Sequence, residues 1–228
     1  MGLSQYKGEE IIDSISIKQG KKFYDLKWMP RTVFNDPHNK DAYIIGNGES
    51  RQHFDLYSLP QDTYGCNALY REYEPDYLIT IDTHMYKEII ESNYAEKNIV
   101  YTHRANLKKH GDQGHLIPDN PSQGAGTTAM HIAIHDGHIN LYCLGFDCAC
   151  TGTNNNMYKD TSGYRSSDTQ VDQSVWAEQI YRLMVNNNHV KFTYVEGTIP
   201  NKFIELPNCT QIDYGQLSDH INNKNETS

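Results

Sequence analysis

Long apolar runs are absent from this 228-residue sequence. No stretch approaches the about 20 residues a helix needs to cross a bilayer, so no membrane span is expected. The opening residues, MGLSQYKGEEIIDS, place no apolar segment after a basic start, unlike a secretory leader, and a cytoplasmic protein is expected. Gly2 is not followed by the Ser or Thr at position 6 that a myristoylation signal requires, since Tyr6 stands there. Cysteine is sparse and odd in number: Cys66, Cys143, Cys148, Cys150 and Cys209 form no CxxC pair, which argues against a disulfide framework or a zinc ribbon. Positive charge is also short, with 20 Lys and Arg against 29 Asp and Glu and a formal charge of -9. A chain of this balance does not wrap a phosphate backbone non-specifically; binding of a single nucleotide stays open.

What is present is the composition of a folded domain: 37% hydrophobic and 21% charged residues, with 16 Gly and 8 Pro. The length suits one α/β domain. Residues 1–40 mix charges and aromatics without sustained periodicity and read as an N-terminal extension; the domain proper is expected over 41–228. Tyr (17) far exceeds Phe (6), and Asn crowds the polar stretches, a bias that fits an A/T-rich coding sequence such as a virus carries.

From Asp41 the pattern changes. AYIIG (42–46), TYGC (63–66), YLITI (77–81), NIVYT (98–102), INLYCLGF (139–146) and HVKFTYV (189–195) are short apolar runs of the kind buried on both faces of a parallel sheet. Helical character falls between them, at 84–94, 126–136 and most clearly 171–187, where Val171, Val175, Ile180, Leu183 and Met184 recur at three-to-four spacing. Strands alternating with helices imply an open, mainly parallel, Rossmann-like α/β sheet with helices on both faces.

In such sheets ligands bind beyond the carboxyl ends of the strands. After the first strand comes Gly46-Asn47-Gly48-Glu49-Ser50, whose glycines permit a sharp turn and a close approach to a phosphate, or mark an ordinary tight turn. Asn67 follows the second strand, and Asp82 and His84 follow the third, where Asp82 serves equally well as a helix N-cap. Residues 118–128, PDNPSQGAGTT, feed into a helix whose N-terminus, around Thr127 and Thr128, favours an anion or is merely capped. Asp147 ends the fifth strand; with Asp82 it forms either a Mg²⁺-binding pair or two solvated carboxylates. Residues 148–170 lack a hydrophobic period and read as a lid loop holding Tyr158, Lys159, Tyr164 and Arg165. His131 and His135 share a helix face, without the Glu of a zinc-protease signature.

The order of these signals resembles the CMP-sialic-acid-dependent sialyltransferases, glycosyltransferase family 42. IIGNGES (44–50) matches that family's first strand and loop, Cys66-Asn67 its CN pair, GTTAMHIAIHDGHINLYCLGFD (126–147) its helix and GxDF strand, and Phe203–Leu206 its FIEL. The resemblance implies that Asn47, Gly48, Ser50 and Asn67 line a nucleotide pocket and that Thr127 and Thr128 approach the sugar or its phosphate. It also implies lid tyrosines on the leaving phosphate. The chain departs from the family there: no histidine lies between His138 and His189, Ala149 stands at the first tyrosine position, and Tyr158 is displaced from the second. The related pterin-pyrophosphokinase-like domains share a PDxxxTxD stretch, matched by residues 75–82.

Three functions are therefore carried forward. The first is a transferase moving a sugar from a nucleotide donor, a CMP-sugar for preference, to an unidentified acceptor. Here Asp82, His84 and Asp147 are the candidate catalytic groups, and Gly46, Asn47, Gly48, Ser50, Asn67, Thr127, Thr128, Tyr158, Tyr164 and Arg165 hold the donor. The second is a catalytically silent binding or assembly module, with a homo-oligomer or a virion as its partner. The third is a Mg²⁺-dependent pyrophosphokinase-like enzyme with Asp82 and Asp147 on the metal.

Overall fold

A computed structural model describes residues 9–18, 21–29, 40–60, 62–111, 113–148 and 152–227 of the protein. Its centre is an eight-stranded sheet, parallel throughout, built from β3 (Asp41–Ile45), β4 (Thr63–Cys66), β5 (Tyr77–Ile79), β6 (Ile99–Thr102), β7 (His115–Leu116), β8 (Asn140–Leu144), β11 (Lys191–Val195) and β12 (Cys209–Ile212). The order across the sheet is β12-β11-β8-β3-β4-β5-β6-β7. All six expected strands form. The two edge strands, β7 and β12, escape a reading by apolar runs because an edge position asks less of its side chains: β7 is half-buried along its length, and Thr210 and Gln211 of β12 face solvent.

The sheet is covered on both faces, and the alternation along each strand shows how. Ala42 and Ile44 belong to one core cluster, with Ile132 of α3 (Ala125–His135), Ile180 of α4 (Ser174–Asn186) and Phe203 of α5 (Asn201–Ile204). Tyr43 and Ile45 belong to the other, with Met85 and Ile89 of α1 (Thr83–Glu91), Leu107 of α2 (Arg104–His110) and Leu217 of α6 (Tyr214–Thr227). A strand buried on both faces cannot alternate polar with apolar, which is why β3 reads as an uninterrupted run. Ile44 and Ile45 are fully buried, and truncating either to Ala should cost about 2–5 kcal/mol.

The chain leaves β3 to build β4 through β7 on one side, then crosses back so that β8 lies against the other edge of β3. This is a topological switch point: the chain leaves β3 toward β4 and leaves β8 toward β11, in opposite directions across the sheet, and a crevice is expected at its carboxyl end.

Two stretches read as irregular contain strands. Within residues 1–40, β1 (Glu9–Lys18) pairs antiparallel with β2 (Lys21–Met29). The register shifts between Ile12 and Ser14, so an extra residue, Asp13, breaks the two-residue period by which a strand is recognised. Within 148–170, β9 (Gly152–Thr153) begins a small antiparallel pair completed by β10 (Gln170–Val171).

Candidate functional site

The backbone continues to pair past the ends of β3 and β8. Gly46 N–H donates to the Leu144 carbonyl at 2.8 Å and Gly48 N–H to the Gly145 carbonyl at 2.9 Å. A Cβ on Gly46 would stand 2.5 Å from the Gly145 oxygen, so the two loops approach this closely only because the residue is glycine. Beneath them lies Arg51, 3% exposed, which no motif singled out. Its Nε donates to the Gly46 carbonyl at 2.7 Å, while Nη2 reaches Glu72 at 2.8 Å and the Tyr158 hydroxyl at 3.0 Å.

Above these loops is a cavity of about 290 Å³. It is walled by Gly46, Asn47 and Gly48; by Cys66, Asn67 and Asp82; by the first turn of α3 from Gly124 to Thr127; by Gly145 to Cys148; by Asn154 to Asn156 and Tyr164; and by Gln173, Trp176 and Ile180 at α4. The GNG turn, the Cys66-Asn67 pair and the Thr127 corner, far apart in the chain, share one hollow.

Asn47 is the most informative wall residue. Its amide Nδ2 donates to the Cys66 carbonyl and to the Tyr164 hydroxyl, both at 3.2 Å, while its Oδ1 is buried without a hydrogen-bond partner. A buried acceptor left unpaired is costly, so this oxygen is set for a ligand's donor. Asn67, held in the left-handed region at φ 52, likewise leaves Oδ1 unpaired, while its Nδ2 reaches Asp82 at 3.4 Å. Tyr164 accepts from Asn47 and from the Ala68 N–H at 3.3 Å, which leaves its own proton for a ligand. Burial pushes the Tyr164 phenol well above its ordinary range and keeps that proton in place.

Several expected residues lie elsewhere. Thr127 lines the cavity, but Thr128 is fully buried and turns its hydroxyl to the Gln123 carbonyl at 3.4 Å, because one residue along a helix is a rotation of about 100°. Ser50 sits behind the loop, its N–H bonded to Asp147 at 3.0 Å and its carbonyl to the Tyr214 hydroxyl. Tyr158 faces Glu72 at 2.6 Å and Arg51, away from the cavity, while Arg165 accepts from Asn154 Nδ2 at 3.0 Å through its backbone carbonyl and is no part of the wall. His84 is also outside it, on the underside of the lid, 3.3 Å from the Ser162 hydroxyl.

Part of the segment expected to form a lid, 148–170, is docked against the loop after β3. Met157 N–H donates to the Asn47 carbonyl at 2.8 Å, Asn156 bridges to Gly48, and Arg71 reaches Thr161 Oγ1 at 3.0 Å and the Ser162 carbonyl at 2.9 Å. Of the sequence between Cys148 and Gly152, residues 149–151 lie outside the described part, so Ala149 is not placed.

Asp82 and Asp147 both border the cavity, but among the described residues no group of three or more His, Cys, Asp or Glu is gathered for a metal ion. A Cβ on Gly48 or on Gly197 would stand 2.3 Å from Asp147 Oδ2 or Oδ1. That carboxylate is walled by backbone and engaged by Ser50, which does not suit the water-rich shell of Mg²⁺. The paired histidines fare no better as ligands, since His131 Nε2 donates to the Pro118 carbonyl at 3.2 Å. Cys66 is no nucleophile, because burial pushes its thiol up to about 12, outweighing the pull of Arg51.

No Lys, Arg or His lines the cavity among the described residues. Its positive pole is the start of α3, where Gln179 takes the N–H of the N-cap, Gly124, and the N-cap offers no side chain to the N–H groups that follow. The residues missed by motif reading are the lid asparagines 154–156 and the face of α4 formed by Gln173, Trp176 and Ile180. Their i, i+3, i+7 spacing is visible in the sequence but is indistinguishable there from a second core stripe.

No protein-family model and no curated protein matches the chain. Solved structures do. A monofunctional alpha-2,3-sialyltransferase, Cst-I from Campylobacter jejuni, is 16% identical and superposes with a TM-score of 0.51, covering 73% of this chain and 79% of its own. The likeness is one of fold. The sialyltransferase CstII from the same organism, in complex with cytidine-5'-monophosphate, is 17% identical with a TM-score of 0.47 over 75% of this chain and 87% of that one. The α/β, Rossmann-like architecture expected from the alternating runs is thus shared with Cst-I.

Proposed function

We propose that the protein is a nucleotide-dependent transferase, and specifically a glycosyltransferase that takes its sugar from a CMP-sugar. The observation that carries this reading is the cavity at the β3–β8 switch point, which joins two unpaired amide oxygens, those of Asn47 and Asn67, to a helix N-terminus whose N-cap, Gly124, has no side chain, with no cationic side chain in its described wall. A nucleoside triphosphate or diphosphate-sugar carries several charges and calls for Mg²⁺ or for Lys and Arg. The phosphodiester of a CMP-sugar carries one charge, which backbone N–H groups and a phenol suffice to hold. The fold shared with Cst-I supports the same class.

In this reading Asn47 and Asn67 bind the base and ribose, and Gly46 and Gly48 let the backbone come close to them. The first turn of α3, with Thr127, holds the phosphate, and the Tyr164 proton bonds the leaving oxygen. The acceptor hydroxyl oxygen forms a bond to the anomeric carbon while the bond from that carbon to the phosphate oxygen breaks. The electron pair leaves on CMP, and the acceptor proton passes to Asp82, the solvent-facing carboxylate of the wall. Asp147 positions the loop, and His84 seats the lid.

Thermal-shift measurements with CMP, CMP-sialic acid, UDP and ATP, each with and without Mg²⁺, test the reading. The cytidine ligands are expected to raise Tm and the others not, with Mg²⁺ making no difference. Silence across the panel overturns it in favour of a binding or assembly module, and a response to ATP confined to Mg²⁺ favours the pyrophosphokinase-like alternative. Donor hydrolysis unchanged in Asp82→Ala overturns the role given to Asp82.

A further inference from the structure

Trp176 is unusual among the large apolar side chains of this protein: it lines the cavity and is also 47% exposed. The buried stripe of α4 runs through Ala177, Ile180, Leu183 and Met184. Trp176 lies one turn before Ile180 on the same side of the helix, at its N-terminal end, where it borders the cavity, and Ile180 is 2% exposed at the deep end. The indole is not part of the core cluster that α4 packs into, and the surface it borders is the cavity.

Its position relative to the helix terminus is set by two contacts. Gly124, the N-cap of α3, donates its N–H to Gln179 Oε1 on α4 at 2.9 Å. A Cβ on Gly124 would meet Trp176 Cδ1 at 3.4 Å. The ring thus stands directly beside the N–H groups that would hold a phosphate, on the α4 side of the cavity. Asn67 lines the cavity from the end of β4. A nucleotide whose base reaches Asn67 and whose phosphate sits at α3 directs the substituent on its phosphate across the indole. One face of a pyranose presents a sheet of C–H bonds, which packs against an aromatic ring as a base or a second ring would.

We propose that Trp176 is the sugar platform of the site: it takes the apolar face of the pyranosyl ring carried by the donor and so determines which sugar is accepted. This rests on the nucleotide-sugar reading above. It predicts an energetic split between the two halves of the donor. Nucleotide binding is independent of the indole, whereas the gain from adding the sugar requires it.

The test is calorimetric titration of the full chain, Trp176→Ala and Trp176→Phe with CMP and with the non-transferable analogue CMP-3FNeuAc. Intrinsic fluorescence is followed in a Trp28→Phe background, where Trp176 is the sole tryptophan of the two in the sequence. Trp176→Ala is expected to weaken binding of CMP-3FNeuAc about tenfold, the scale of one lost aromatic stack, and to leave CMP within twofold; Trp176→Phe retains most of the affinity. The sugar nucleotide is expected to quench the indole more than CMP does. The side chain is half-exposed, so the variants should fold, and an unchanged Tm verifies it. Equal losses for CMP and CMP-3FNeuAc would show the ring stacking on the base and overturn the assignment, as would no loss for either or no added affinity from the sugar in the unaltered chain. Failure of the unaltered chain to bind CMP at all overturns the nucleotide reading itself and the platform with it.

Discussion

The Asp147 carboxylate accepts the Ser50 N–H at 3.0 Å, tying the loop after β8 to the loop after β3. The glycines at 48 and 197 leave room for it: a Cβ at either would come within 2.3 Å of a carboxylate oxygen. The carboxylate at the end of β8 thus ties the two loops together.

Gly48→Ala tests this tie. The added methyl meets Asp147 and, at 2.7 Å, the Gly145 carbonyl, so the loop must move. A loss of about 1–3 kcal/mol in stability is expected, with CMP affinity down at least tenfold. Calorimetric titration showing unaltered CMP binding in a folded variant would refute the close approach.

The clasp formed by Arg51, Glu72 and Tyr158 joins the first loop to the lid, with the Tyr158 hydroxyl donating to Glu72 at 2.6 Å and accepting from Arg51 at 3.0 Å. Tyr158→Phe should lower stability by about 1–2 kcal/mol. Arg51→Met should cost more, because it also strands the buried Gly46 carbonyl. Urea unfolding gives both values, and the expected order is reversed if Arg51 is a passive filler.

Asp136 is buried at the end of α3 and accepts the Tyr64 hydroxyl at 2.7 Å. Burial pushes its carboxyl up to about 7, against the lowering effect of that hydrogen bond. The folded state therefore keeps a proton that the unfolded chain releases near its ordinary value of 3.8. Stability contributed by this group is full below that value, falls as pH rises toward 7 and is level above it. Asp136→Asn should remove this fall, making the variant gain on the parent by on the order of a few kcal/mol between pH 4 and pH 8. Urea midpoints that keep a constant difference across that range would contradict it.

Thiol chemistry offers a direct check on the site wall. Burial raises the thiols of Cys66, to about 12, and of Cys143. Mass spectrometry after iodoacetamide at pH 8 should find both unmodified in the native protein and alkylated after denaturation. Rapid native labelling of Cys66 would mean that the cavity opens far more widely than the structure shows.

The apolar runs were enough to place β3, β4, β5, β6, β8 and β11, because a strand buried on both faces has to be apolar along its length whatever its neighbours are. The glycines after β3 and the small-residue entry to α3 were legible for a similar reason: only small residues permit close backbone approach. The sequence by itself therefore determined an α/β sheet and the loops that would bear a ligand. Only the tertiary structure decided which side chains face the cavity beside those loops. Thr127 enters the cavity and Thr128 does not because helical phase separates them, and Tyr164 supplants Tyr158 because the segment meets Arg51 and Glu72 at Tyr158 and turns back to Asn47 at Tyr164. The indole of Trp176 joins the wall because Gly124 and Gln179 bring α4 against α3. Such choices rest on contacts between segments remote in the chain, and a period of two or of 3.6 residues carries information only about a segment's own faces.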